Sequence, residues 1–429
     1  MANSLGAKAL DAVQRAYSNT IRRIKKPEIS VVVVVYNIER QARLTLLSLS
    51  ADYQRHIDPG DYEVIVVDNG SNPPFDHRIL DGLRGNFRLI RLDPAPASPA
   101  RAVNRGIEEA RGDIVGVMID GARIVTPGLL HFARHGAQLY GKPVVVTLGW
   151  YLGYDLQRWS MQFGHDEAEE DALLASIGWP QDGYRLFEIS TMDEPSDDGW
   201  LGPFTESNAL FLRRETWAEL GGMDERFDLP GGGLVNPDLL RRSLELPSVE
   251  LVVLLAEGTF HQFHGGIATN RPAAEFGDAL TKWLQQYQAI RGKTWGIPRQ
   301  DIPRTYLGTL PRPVLARLVR SAITKPRYPV EPPLGRDFDQ GLWSATQPAR
   351  SAVPVVNRLI EIAHREFRAG RYVTALAVAR LIRGKYPDEI EPKRLVSLLG
   401  GRVFEDDGLR LPEHQLALAE AHRLLGEKE

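Results

Sequence analysis

The chain has 429 residues, 43% hydrophobic and 25% charged, which is the composition of a folded globular protein too long for one ordinary core, so two or three domains are expected. A net charge of -3 removes any general attraction to nucleic acid or anionic membrane, and the absence of cysteine excludes disulfides and thiolate metal sites and fits a reducing compartment. No apolar run approaches the roughly 18 residues that cross a bilayer, and residues 1–26 lack the unbroken apolar stretch of a signal peptide, so a cytoplasmic location is expected.

Residues 1–26 place Leu5, Leu10, Val13, Tyr17, Ile21 and Ile24 at near-helical spacing, with Arg15, Arg22, Arg23, Lys25 and Lys26 around them. That pattern predicts an amphipathic helix with a basic end. Packing on its own domain or on a protein partner is the expected use, and peripheral contact with the inner face of a membrane is the alternative. An apolar strand over Ile29–Val35 then runs into Tyr36-Asn37, and a second over Tyr62–Val67 ends in Asp68-Asn69-Gly70-Ser71. Continuous β-branched runs mean strands buried on both faces. Residues 40–52 and 99–110 read as helices, and 87–91, 113–119 and 143–148 as strands. Such alternation predicts a doubly wound, mostly parallel α/β sheet over residues 27–310.

No Gly-x-Gly-x-x-Gly follows the first strand, and Gly292-Lys293-Thr294 has Tyr287 where a phosphate-binding loop needs glycine, which argues against dinucleotide and Walker sites. Residues 150–200 read as irregular, and a second structured block runs from 206 to 266. Proline is dense over 311–354, marking a linker, and 355–429 reads as a small all-α domain. Within it Ala363, Phe367, Gly370-Arg371-Tyr372, Ala375-Leu376, Ala379 and Tyr386-Pro387 are similar to one tetratricopeptide unit, though an ordinary helical hairpin fits equally well.

Ligands of open α/β sheets sit outside the carboxyl ends of the strands, where Tyr36-Asn37 and Asp68-Asn69 fall. Two further landmarks join them. One is Pro99–Ile107 followed by Ala110–Asp113 and Val117–Asp120; the other is Glu206–Trp217 continuing to Gly221-Gly222-Met223-Asp224-Glu225. Together these stretches resemble the inverting glycosyltransferases of family 2, over about two thirds of the chain. The resemblance implies a GT-A-like fold and transfer of a sugar from a nucleoside diphosphate donor to a carbohydrate or lipid-linked acceptor, in polysaccharide or glycoconjugate assembly. It also implies donor contacts from Tyr36, Asn37, Glu39, Asp68, Asn69, Arg101 and Asp120. Asn104 stays open between such a role and pinning a neighbouring loop.

The chain departs from the family pattern twice. The second carboxylate of the metal-binding Asp-x-Asp is Ala122, which weakens a magnesium or manganese site. Either Arg123 supplies positive charge at the diphosphate, or the metal takes ligands elsewhere, for which His261 and His264 are candidates. Metal dependence is therefore expected to be weak or unusual. Where the family has Glu-Asp-x-Asp-Leu, this chain has Val235-Asn236-Pro237-Asp238-Leu239. A transfer with inversion needs a proton acceptor beside the incoming hydroxyl, so Asp238 is the first candidate and Glu206 the second. A structural Asp238, capping the helix from Leu239, is the competing reading. The alternative for the whole protein is a nucleotide-sugar-binding pseudoenzyme or scaffold that the missing acids have left without turnover.

Overall fold

The strand β1 (Ile29–Val35) is buried along its whole length, and its side chains alternate between two helical layers. Val31, Val33 and Val35 share a core with Ala42 and Leu46 of α1 (Glu39–Ser48). Val32 points the other way, onto Gly106 of a later helix. Helices on both faces are what a fully apolar parallel strand requires.

The computed structural model describes residues 26–153, 157, 165–196, 199–266, 273–312, 314, 351–368, 371–387, 389, 391, 392, 395, 396 and 412–426. The helix expected over 1–26 and the linker over 311–354 lie almost wholly outside them. After α1 the chain runs through β2 (Tyr62–Asp68), α2 (Arg78–Asp81), β3 (Phe87–Arg91), α3 (Ala100–Glu109), β4 (Ile114–Met118), β5 (Arg123–Val125), α4 (Leu129–Gly136) and β6 (Lys142–Leu152). There follow α5 (Glu167–Ser176), β7 (Ser190–Met192), β8 (Leu210–Arg213), α6 (Arg214–Leu220), α7 (Val235–Glu245), β9 (Val249–His261), α8 (Ala273–Arg291) and β10 (Arg304–Gly308).

The sheet order is β10-β9-β6-β8-β4-β1-β2-β3, with β5 on β9 and β7 on β6. Pairing is parallel except where β8 meets β4 and β6, β5 meets β9, and β7 meets β6. This doubly wound, mostly parallel sheet is the GT-A-like architecture that the resemblance implies. Residues 150–200 differ from the expectation of irregular chain, since α5 and β7 lie within them. The helix escapes a periodicity reading because its buried residues are Glu170, Leu173 and Leu174, a narrow face headed by an acid. Its start is set instead by Asp166, whose side chain accepts from the Glu169 N–H at 2.9 Å, and by an acidic first turn.

The described residues fall into two compact units, the first running to Val314 and the second holding the C-terminal helices. In the second, α9 (Pro354–Arg368), α10 (Tyr372–Lys385) and α11 (Pro412–Gly426) bury Leu359, Ala363 and Phe367 with Ala375, Leu376, Ala379 and Leu424. No described helix is long and apolar enough to cross a membrane.

Candidate donor and metal site

Strand register gathers the polar tips at one edge. Val35 pairs with Asp68, Asp68 with Arg91, and the Gly121 N–H donates to Val34 O at 2.8 Å. At the first tip Asn37 adopts a positive φ of 52°. Its backbone N–H donates to Ser71 Oγ (3.0 Å) and its Oδ1 accepts from the Asn72 N–H (2.8 Å), clamping β1 to the loop after β2. Tyr36 beside it is 58% exposed.

Asp68 is occupied within that loop. It accepts from the Ser71 N–H (2.8 Å), the Phe75 N–H (3.2 Å) and Arg91 (2.6 Å). Burial alone would raise its pKa, but these donors outweigh burial and hold it below the usual range. Asn69 donates to Pro96 O at 3.1 Å, while its buried Oδ1 has no partner among the described residues. Of the two, Asn69 has an acceptor left for a ligand. Glu39 opens α1 and pairs with Arg43 at 2.8 Å. Arg101, in the first turn of α3, is exposed and has no ion pair among the described residues.

Just past β4, three ligand atoms converge. Asp120 Oδ2 lies 3.0 Å from His261 Nε2 and 3.6 Å from His264 Nε2, and the two histidine nitrogens are 3.0 Å apart. Antiparallel pairing of β5 with β9 sets Arg123 opposite His261 and so delivers that histidine to Asp120. The tautomer of His261 follows from its neighbour. Gln157 Nε2 donates to Glu170 Oε1 (3.1 Å) and His261 O (3.0 Å), leaving its Oε1 to accept from His261 Nδ1 at 2.7 Å. The proton therefore sits on Nδ1, and the Nε2 lone pair faces the Asp120 carboxylate.

Two acceptors at that distance need a proton or a cation between them. Burial pushes the His261 pKa down to about 4, against the pull of Asp120, so the imidazole is neutral near neutral pH. Burial works to raise Asp120, yet His264 beside it holds it well below the carboxylate range. One carboxylate oxygen and two imidazole nitrogens within 4.8 Å of one another are a donor set that fits a divalent cation, provided His264 also carries its proton on Nδ1.

Arg123 does not face an open site. It is 6% exposed and lies 3.8 Å from Asp120 and 3.7 Å from Asp193, with Asn208 beside it. Its charge is spent on the buried Asp193 and on half-buried Asp120. On the acceptor side, half-buried Glu206 accepts from Asn236 Nδ2 at 2.7 Å. Burial raises its pKa, Arg123 and Asn236 oppose the rise, and Asp193 and Asp120 add to it.

Asp238 is placed differently from the sequence expectation. It is fully buried inside the first turn of α7, which begins at Val235, so it does not cap a helix at Leu239. Arg291 holds Oδ1 at 2.7 Å and Oδ2 at 2.6 Å, and Arg242 holds Oδ2 at 2.8 Å. Arg291 also reaches Asp224 at 2.8 Å, so these acids brace α7 and α8 against the 224 turn. Asn104 pins the same turn, donating to Met223 O (2.9 Å) and accepting from the Met223 N–H (2.8 Å). Gly231, Gly232 and Gly233 have φ of 73°, 81° and 54°, a bend that favours glycine at each step.

Residues 30–127 match the model of glycosyl transferase family 2. Over that stretch the chain is similar to family 2 glycosyl transferases. That match covers β1 through β5 and so includes the strand tips and Asp120; His261, His264, Glu206 and Asp238 lie beyond it. No curated protein matches the chain significantly. Among solved structures, Staphylococcus aureus TarS 1-349 in complex with UDP-GlcNAc is similar at 12% identity over 92% of this chain and 89% of that one, with a TM-score of 0.39. The mannosyltransferase PcManGT from Pyrobaculum calidifontis, in complex with GDP-Man and Mn2+, is similar at 14% identity over 100% and 99%, with a TM-score of 0.34. Glucosyl-3-phosphoglycerate synthase from Mycobacterium tuberculosis, in complex with Mg2+ and UDP, is similar at 17% identity over 66% and 90%, with a TM-score of 0.35. These overlaps are too slight to carry residue roles across.

The sequence pointed to the strand tips, Asp120 and the histidine pair. It gave no sign of Gln157, Glu170 or Asp193, which lie in segments without motif or periodicity, and it assigned no role to Asn208 within the Glu206–Trp217 landmark.

Proposed function

We propose that the protein transfers a sugar from a nucleoside diphosphate donor to a carbohydrate or lipid-linked hydroxyl with inversion at the anomeric carbon. The observation that carries this reading is the convergence of Asp120, His261 and His264 at the strand-end edge of a family 2 domain. Asn69 Oδ1, Asn37 and the exposed Tyr36 ring face the nucleoside, Arg101 meets the phosphates, and Asp68 shapes the loop that presents Asn69. A divalent cation held by Asp120, His261 and His264 would neutralise the diphosphate as it leaves. Two imidazole nitrogens favour manganese over magnesium, which prefers an all-oxygen shell.

Glu206 takes the general-base role in preference to Asp238. The acceptor oxygen attacks the anomeric carbon, the bond to the diphosphate oxygen breaks, and the hydroxyl proton passes to Glu206. Its raised pKa makes it a stronger base than an ordinary carboxylate, while both Asp238 oxygens are engaged by arginines. The acceptor class and a place in polysaccharide or glycoconjugate assembly follow from the family resemblance.

Calorimetry with UDP, GDP and dTDP, in EDTA and in manganese, tests the reading. At least one diphosphate is expected to bind tenfold or more tighter with manganese, and Asp120→Ala should abolish the gain. Equal affinity in both conditions for every nucleotide would overturn it. Asn236 at an acidic register favours the second reading, a nucleotide-sugar-binding scaffold. Donor binding without hydrolysis or transfer across a panel of nucleotide-sugars would select that reading.

A further inference from the structure

Glu170 is fully buried on α5, and its hydrogen bonds lead toward both histidines. Its Oε1 accepts from Gln157 Nε2 at 3.1 Å and from the Phe263 N–H at 2.6 Å. The first bond orients the Gln157 amide, whose oxygen then receives the His261 Nδ1 proton at 2.7 Å. The second anchors the backbone midway between His261 and His264. Gln41, on α1, completes that anchor by donating to Phe263 O at 2.6 Å. Arg40 Nη1 lies 3.7 Å from the other oxygen of Glu170, Oε2.

We propose that Glu170, acting through Gln157, is a positioning residue for the Asp120–His261–His264 group. It fixes the Nδ1–H tautomer of His261 and the loop that brings His264 to Asp120. The chain carboxylate, amide, imidazole is an extended form of the carboxylate–histidine pairing that orients metal ligands and sets their basicity. A buried acid serving only to satisfy the Phe263 N–H would need no glutamine between itself and His261. The inference rests on the cation reading of the site.

The test uses the full chain and Mn2+ alone, with calorimetry for affinity and 15N spectra of labelled histidine in metal-free protein for the tautomer. Glu170→Gln and Gln157→Leu are expected to weaken Mn2+ binding by about 10–100-fold, with circular dichroism and metal-free melting showing that they fold. In Gln157→Leu the His261 signal should leave the Nδ1–H form. The exchange Gln157→Glu with Glu170→Gln returns an oxygen to His261 Nδ1–H and should recover most of the affinity. Folded variants that bind Mn2+ like the wild type, or an unchanged His261 tautomer in Gln157→Leu, would overturn the proposal and leave the cation reading standing. A wild-type chain that binds no Mn2+ would remove the cation reading, and this inference with it.

Discussion

Glu206 and Asp238 are both acids withdrawn from water on the acceptor side, and their partners separate them. Among the described residues amides and no guanidinium touch Glu206, whereas Asp238 is gripped on both oxygens by Arg242 and Arg291. Glu206→Gln is therefore expected to cut turnover by about 10²–10⁴-fold with donor affinity retained. The base must be ionised to act, and burial lifts its pKa above the ordinary 4.5. The acid limb of the kcat/KM profile should accordingly lie above that value and vanish in the variant. A profile flat down to pH 4.5 would contradict the assignment. Asp238→Ala instead strands two arginines and should cost roughly 3 kcal/mol of stability, read by denaturant titration. Asp238→Asn, if folded, should retain turnover within a few-fold; a loss as deep as that of Glu206→Gln would return the base to Asp238.

At the scale of elements, the site depends on β5 lying antiparallel on the end of β9 and on α3 lying close to β1. The first contact brings His261 to Asp120 across the sheet edge. The second is made close by Gly106, where an added Cβ would stand 2.3 Å from Val32 Cγ1. Gly106→Ala should therefore push α3 outward and cost about 1–3 kcal/mol, as overpacking does. Because α3 also carries Arg101 and Asn104, nucleotide affinity should fall alongside the denaturant midpoint. An unchanged midpoint would mean that the helix and strand have slack there.

At the scale of the whole molecule, two cores of described residues share no residue. One joins β1, β2, β4, α1 and α4, and the other joins α9, α10 and α11. Scanning calorimetry is expected to resolve two unfolding transitions. Manganese with the bound nucleoside diphosphate should raise one and leave the other in place, because a ligand stabilises only the unit that holds it. A single transition shifted as a whole by ligand would show that the two units unfold together.

The buried strands, the polar residues at their tips and the family pattern through Asp120 were legible because they are local. A β-branched run, a strand end and a short spacing can each be read without knowing what lies opposite. The sequence also offered His261 and His264 as ligands, but only the β5–β9 register made them neighbours of Asp120. The inward turn of Arg123, the arginine grip on Asp238 and the reach of Glu170 through Gln157 were not legible in the same way. Each is a contact between segments far apart in the chain, and periodicity carries no record of such partners. Residue type and spacing determined the sheet and the edge at which a ligand would sit. Tertiary packing decided which acids keep a free oxygen there, because a carboxylate's chemistry depends on the donors that surround it.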